Sequence, residues 1–237
     1  MNRKLLFALV LAGSILLTTP AWRLPQDKRD IQAIIIKVVR DVKKTTTKGW
    51  QEAVPLDRLA SGQQVRTDER AVALIKFADD SKVLVREKSI IEIKGTVQGR
   101  QLLNRDVHMT RGRIAFNVRK GDKEQFRFSS PISVASIRGT EGGMASLDTL
   151  DLLTILRGLA SLTSLISNQT QDVGSNQTGS ADNDGNLNVR PSTQNELNDA
   201  TFTDTDTDGG GKVRHTLRIP GEDKDGNPKT IVLEWSE

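Results

Sequence analysis

The chain has 237 residues and a net charge of +4, from 34 Lys and Arg against 30 Asp and Glu. The length suits one domain with extras, and an apolar fraction of 36% together with 19 glycines is enough for a packed core. Acidic and basic residues interleave and no basic run carries aromatic neighbours, which argues against nucleic acid as a partner, while the lack of Cys excludes disulfides and a lipid-modified N-terminal Cys.

The first element is an export signal. Asn2-Arg3-Lys4 is basic, Leu5 to Leu17 is an apolar run broken only by Gly13 and Ser14, and Thr19-Pro20-Ala21 supplies small residues before a cut after Ala21. This order reads as a secretory signal peptide over residues 1–21. The run is shorter than the roughly 20 residues of a spanning helix. An uncleaved segment would act as a membrane anchor and still leave the remainder outside the cytoplasm. Nothing precedes the signal, so this reading includes no cytoplasmic segment. The expected location is the bacterial periplasm or the exterior.

From Asp30 to about Lys120 the apolar period is two. Ile34, Ile36 and Val38 alternate first, then Ala71, Ala73, Ile75 and Phe77, then Val83 and Val85, Ile91 and Ile93, and Ile114, Phe116 and Val118. Phe126 and Phe128 flank Arg127. Such alternation predicts half-buried strands. Asp79-Asp80-Ser81, Gly95, Gly112 and Gly121-Asp122 punctuate them. Short strands at this spacing predict an all-β domain. Between Leu147 and Ile166 the pattern is double. Leu152, Ile155, Leu156 and Leu159 fall at helical spacing, whereas Leu150, Leu152, Thr154 and Leu156 alternate. Periodicity alone leaves helix and strand open there.

Beyond Asn168 the chain turns polar. Acidic residues prevail from Asp172 to Asp208, and residues 191–212 read as a flexible acidic linker. Residues 213–237 regain a strand pattern on either side of Asp225-Gly226, a reverse-turn pair that predicts a terminal β-hairpin. An isolated hairpin is marginal in water, so it needs a docking partner.

An ordered motif series resembles the FecR domain of bacterial envelope signalling proteins. Leu59-Ala60-Ser61-Gly62 with Val65-Arg66-Thr67 is similar to the family's opening motif. The hairpin from Ala71 to Arg86, Ser89 to Ile93, and Gly112-Arg113-Ile114-Ala115-Phe116-Asn117-Val118 follow in the family order. Phe126 to Pro131 resembles its F-x-F-x-S-P step, and Ile137-Arg138-Gly139-Thr140 its G-T signature. The resemblance implies a jelly-roll or β-helix-like FecR domain over residues 31–190. Gly62, Thr67, Gly112, Phe116, Pro131, Arg138, Gly139 and Thr140 would be its structural motif positions. It also implies strands at Leu153 to Leu162 around Gly158 and at Val173 to Gln177. There are departures. Asp80 stands where the turn usually has Gly, and Glu141-Gly142-Gly143-Met144 replaces an expected Phe. The cytoplasmic segment that grips a sigma factor in the regulators has no counterpart, so that role is not carried over.

Candidate chemistry is sparse. His108 and His215 have no motif partner for a nucleophile–base arrangement. Asp204, Asp206 and Asp208 match the first half of a calcium loop, but His215 stands where the bidentate Glu belongs. That string reads as solvated linker, and no cofactor is expected. Arg138 reads as an exposed strand end, with an anionic ligand as the alternative. The expectation is a non-enzymatic binding or sensing module of the cell envelope, whose partner is another envelope protein or a cell-wall glycan. The alternative is a surface-assembly protein that adds its terminal hairpin to a neighbour's sheet.

Overall fold

Alternation of apolar and polar residues builds almost every element. The computed structural model describes residues 31–98, 101–120, 125–202, 214–222 and 228–236. The strands up to the first Phe pair are β1 (Ile31–Val39), β2 (Val42–Thr46), β3 (Gly49–Glu52), β4 (Arg58–Ala60), β5 (Gln64–Thr67), β6 (Val72–Phe77), β7 (Lys82–Val85), β8 (Ile90–Gln98) and β9 (Gln101–Asn117). They continue as β10 (Gln125–Ser129), β11 (Ser133–Ile137), β12 (Glu141–Ser146), β13 (Leu150–Arg157), β14 (Leu159–Ser164), β15 (Thr170–Gly174), β16 (Gln177–Asp182) and β17 (Leu187–Pro191). Helix α1 (Gln194–Ala200) and the pair β18 (Arg214–Glu222) and β19 (Pro228–Ser236) complete the chain.

The strands form two layers that share β9. The first layer runs β4-β1-β6-β7-β9-β12-β13-β16-β17. The second runs β3-β2-β5-β8-β9-β10-β11-β14-β15. Up to Arg111, β9 pairs with β8, with Ile90 opposite Arg111. From Gly112 on it pairs with β12 and β7, with Ser146 opposite Gly112 and Val85 opposite Ile114. β10 lies parallel to β9, Phe126 opposite Arg105, and the other ladders are antiparallel.

The core lies between the layers. Phe116 stacks on Phe128 with ring centroids 4.5 Å apart, and Phe77 meets Phe126 edge-on at 4.9 Å. Each pair joins one layer to the other. Aliphatic side chains such as Ile35, Ile75, Val83, Ile114, Leu153 and Leu162 fill the rest. The expected all-β architecture is what the chain adopts.

Three expectations change. In β1 the residues turned inward are Ala33 and Ile35, while Ile34 is exposed and Ile36 half-buried. The run Ile34-Ile35-Ile36 is apolar at every position, so period two cannot choose a face, and a bulge between Ile35 and Lys37 sets the register. Residues 194–200, expected within the linker, form α1. Thr193 caps the helix, accepting the Glu196 N–H while the Glu196 carboxylate accepts the Thr193 N–H, a reciprocal capping box. The two-way pattern of 147–166 resolves as β13 and β14. Gly158 forms their turn at φ +101° and Asp151, Leu153 and Ile155 point inward.

The terminal hairpin is present as its own two-stranded sheet, Leu217 opposite Leu233 and Ile219 opposite Ile231. The signal peptide with Ala21, the carboxylates Asp204, Asp206 and Asp208, and the Asp225-Gly226 turn lie outside the described residues.

Candidate functional site

The motif residues are distributed over corners and clasps, and they do not converge on one cleft. Gly62 turns β4 into β5 at φ +84° and donates its N–H to Ile93 O at 2.8 Å. Buried Thr67 donates Oγ1–H to Arg86 O at 2.5 Å and accepts the Ser89 N–H at 3.1 Å. Ser89 carries the clasp on, its Oγ accepting the Arg113 N–H at 3.0 Å. Thr67 and Gly112 are therefore joined through Ser89, at the corner where β9 changes layer. Phe116 sits in the core. Pro131 is exposed in the β10–β11 turn. Gly139 turns at φ +64°, and Thr140 pairs its backbone with Val118 while Oγ1–H reaches Leu159 O at 2.9 Å. Arg138 is exposed beside that clasp, and it lines none of the clefts described below.

The outer face of the first layer carries a more unusual construction. One row of cross-strand neighbours runs Lys37, Leu74, Leu84, Ala115, Gly143, Thr154, Thr178, Arg190. Helix α1 lies along this row as a strap. At its start, Glu196 pairs with Arg190 at 2.6 Å and reaches the Thr178 hydroxyl at 3.2 Å. The Arg190 side chain, helped by the Thr193 N–H, holds the Glu196 carboxyl down to about 2. At its end, Ala200 packs on Gly143, where a Cβ would stand 2.8 Å from Ala200 Cα. Arg86 then donates to Asp199 O at 3.0 Å and Thr201 O at 3.1 Å, covering the last carbonyls of a helix that has no basic residue in its own last turn. Burial lowers the Arg86 pKa below the usual guanidinium range. Between strap and sheet lies a groove of about 90 Å³, lined by Met144, Leu147, Leu152 and Thr154 with Arg113 and Asp199 at its rim.

A second construction is internal. Asp151 on β13 is fully buried and its carboxylate accepts the hydroxyls of Ser130 and, at 2.6 Å, Ser133. Ser146 hydrogen-bonds to the same carboxyl, while desolvation, the larger effect, raises its pKa. Ser130 and Ser133 belong to the second layer, at the β10–β11 turn, so this cluster ties the layers close to the β9 corner, where Ser146 stands between Gly112 and Asp151.

On the outer face of the second layer, Ser129 on β10 stands beside Asp106 and His108 on β9. Its hydroxyl donates to the Asp106 carboxylate at 2.8 and 2.9 Å, and His108 Nδ1 lies 3.0 Å away. His108 thus has a hydroxyl neighbour that no sequence spacing shows. Because the Ser129 proton goes to Asp106, the oxygen is left to accept and His108 presents Nδ1–H. That order does not make a nucleophile, for which the histidine must take the serine proton. Among the described residues no group of three or more His, Asp or Glu is placed to hold a metal ion.

The signal for the strap was present in the sequence as Thr193-x-x-Glu196. Asp151 stands out in the sequence as a lone acid in the apolar run Leu150 to Ile155, but Ser130 and Ser133 come from a distant turn.

Residues 63–160 match the family model described as FecR protein. No curated protein matches the sequence closely enough to count as a relative. Two crystal structures of a candidate anti-sigma factor from Parabacteroides distasonis ATCC 8503 are similar at 12% identity and a TM-score of 0.49, covering 57% of this chain and 62% of that one. The chain thus spans less than two thirds of the length of that protein. The stretch that is similar to FecR protein, residues 63–160, encloses the Gly112 corner, the Phe116–Phe128 stack and the Thr140 clasp.

Proposed function

We propose that this chain is a non-enzymatic FecR-domain protein of the bacterial envelope that binds another envelope protein or a cell-wall glycan and serves in sensing. The observation that carries this reading is the use made of the family motif. Thr67, Gly112, Gly139 and Thr140 are spent on turns and interlayer clasps, which leaves recognition to the faces they frame. The export signal supports a place outside the cytoplasm. Cross-linking in intact cells followed by affinity capture tests it. A specific envelope protein or a glycan fragment recovered with the chain supports the reading, and recovery of neither refutes it. A cell-wall hydrolase assay separates it from an enzymatic role.

One observation favours a second reading. Among the described residues β18 and β19 pair only with each other, which leaves the outer edge of each without a described strand partner. In that reading the hairpin joins a neighbour's sheet and the protein assembles on a surface. Truncation after Phe202 leaves the strap in place and discriminates. Loss of assembly with the main domain intact supports the strand-addition reading.

A further inference from the structure

The row followed by α1 does not end where the helix ends. Past Ala115 it continues as Leu84 and Leu74 and reaches β1 at Lys37. Alongside it, β1 turns Ile34 and Ile36 outward, with Ile31 47% and Ile34 36% exposed. A cleft of about 270 Å³ opens there, lined by Ile31, Ile34, Ile36 and Ala78 together with the Lys76–Asp80 ion pair. Apolar side chains of this size on an outer sheet face suit a docked apolar partner.

The chain leaves the strap at Phe202, and β18 starts at Arg214. The intervening residues 203–213 reach about 36–40 Å when extended. Ile34 lies two strand spacings, about 10 Å, across from Lys82 on β7, and Lys82 lies about 13 Å along the strand from Arg86, which holds Thr201. Lys37 and Lys82 lie on this side of the first layer, Lys76 is ion-paired there with Asp80 at 2.7 Å, and the sequence between strap and hairpin carries Asp204, Asp206 and Asp208. The hairpin register puts Leu217 opposite Leu233 and Ile219 opposite Ile231, with Trp235 two residues along on the same face. One face of the hairpin is therefore apolar by position, and two strands alone do not bury it.

We propose that the β18–β19 hairpin docks by this apolar face, in the same chain, on the β1 surface around Ile31, Ile34 and Ile36. This is face-to-face packing of a third layer and leaves the hairpin edges free. The chain has no Cys, so an Ile34→Cys, Leu233→Cys pair can be read without interference. A short bismaleimide is expected to bridge the pair within one chain, seen by mass spectrometry of the monomer. Bridges between chains would overturn the proposal, because the occupant would then be a second copy. In the otherwise full chain, Ile231→Lys with Leu233→Lys is expected to speed amide exchange across Ile31–Ile36 about tenfold while leaving the Phe116 region protected. Absence of any bridge together with unchanged exchange in β1 also overturns it.

Discussion

Ser89 occupies the space that a side chain on Gly112 would need. A Cβ built on Gly112 lies 2.2 Å from Ser89 Oγ and 2.5 Å from Ser89 Cα, and its φ is +110°. Backbone conformation and close approach both require glycine there. Gly112→Ala is expected to destabilise the domain by about 3 kcal/mol, combining left-handed strain with overpacking. Urea unfolding of the two proteins checks the figure. A loss below about 1 kcal/mol would mean that the corner yields.

Gly143 offers a way to lift the strap without touching it. A Cβ there meets Ala200 Cα at 2.8 Å and Ile114 O at 2.9 Å. Gly143→Val is expected to release α1, so that the amides of Leu197 to Thr201 exchange as fast as those of an unstructured peptide. The β9–β12 amides should stay slow, because the larger side chain points away from the core.

The strap is also acid-sensitive. Glu196 titrates at about 2 in the folded chain against an ordinary 4.5. A depressed carboxyl contributes stability that is complete above the ordinary value and fades as the pH falls from about 4.5 through about 2. Proteolysis after α1 is expected to accelerate over that window. Glu196→Gln should remove the pH dependence and cleave fast throughout.

Asp151 works in the opposite sense. Its pKa is raised in the fold above 3.8, the value of the free side chain, so its contribution is fully present below 3.8 and is lost as the pH rises through the folded value. Asp151→Asn is expected to raise the urea midpoint at pH 7, and the difference from the native chain should vanish below pH 3.8. An equal shift at both pH values would mean that the carboxylate charge is not what matters.

The strands within residues 63–160 were legible because their inner and outer faces differ. Ile114, Phe116 and Val118 alternate with polar or small residues, and each points inward as read. β1 was not legible in the same way, since Ile34, Ile35 and Ile36 offer the core two equally apolar faces and a bulge decides. The helix was overlooked because seven residues are too few to show a period, although its capping pair was written out at Thr193 and Glu196. The Ser130 and Ser133 partners of Asp151 and the neighbourhood of His108 depend on pairings across more than fifteen residues, and spacing along the chain carries no trace of them.

The shared strand β9 also has a consequence for unfolding. The layers hydrogen-bond to successive halves of the one seventeen-residue strand, parted at Gly112, and each closes on the other through the Phe116–Phe128 stack. Neither layer can open on its own without losing its central member. The domain is therefore built as one cooperative unit, and a cut at Gly112 would leave neither half with a complete sheet.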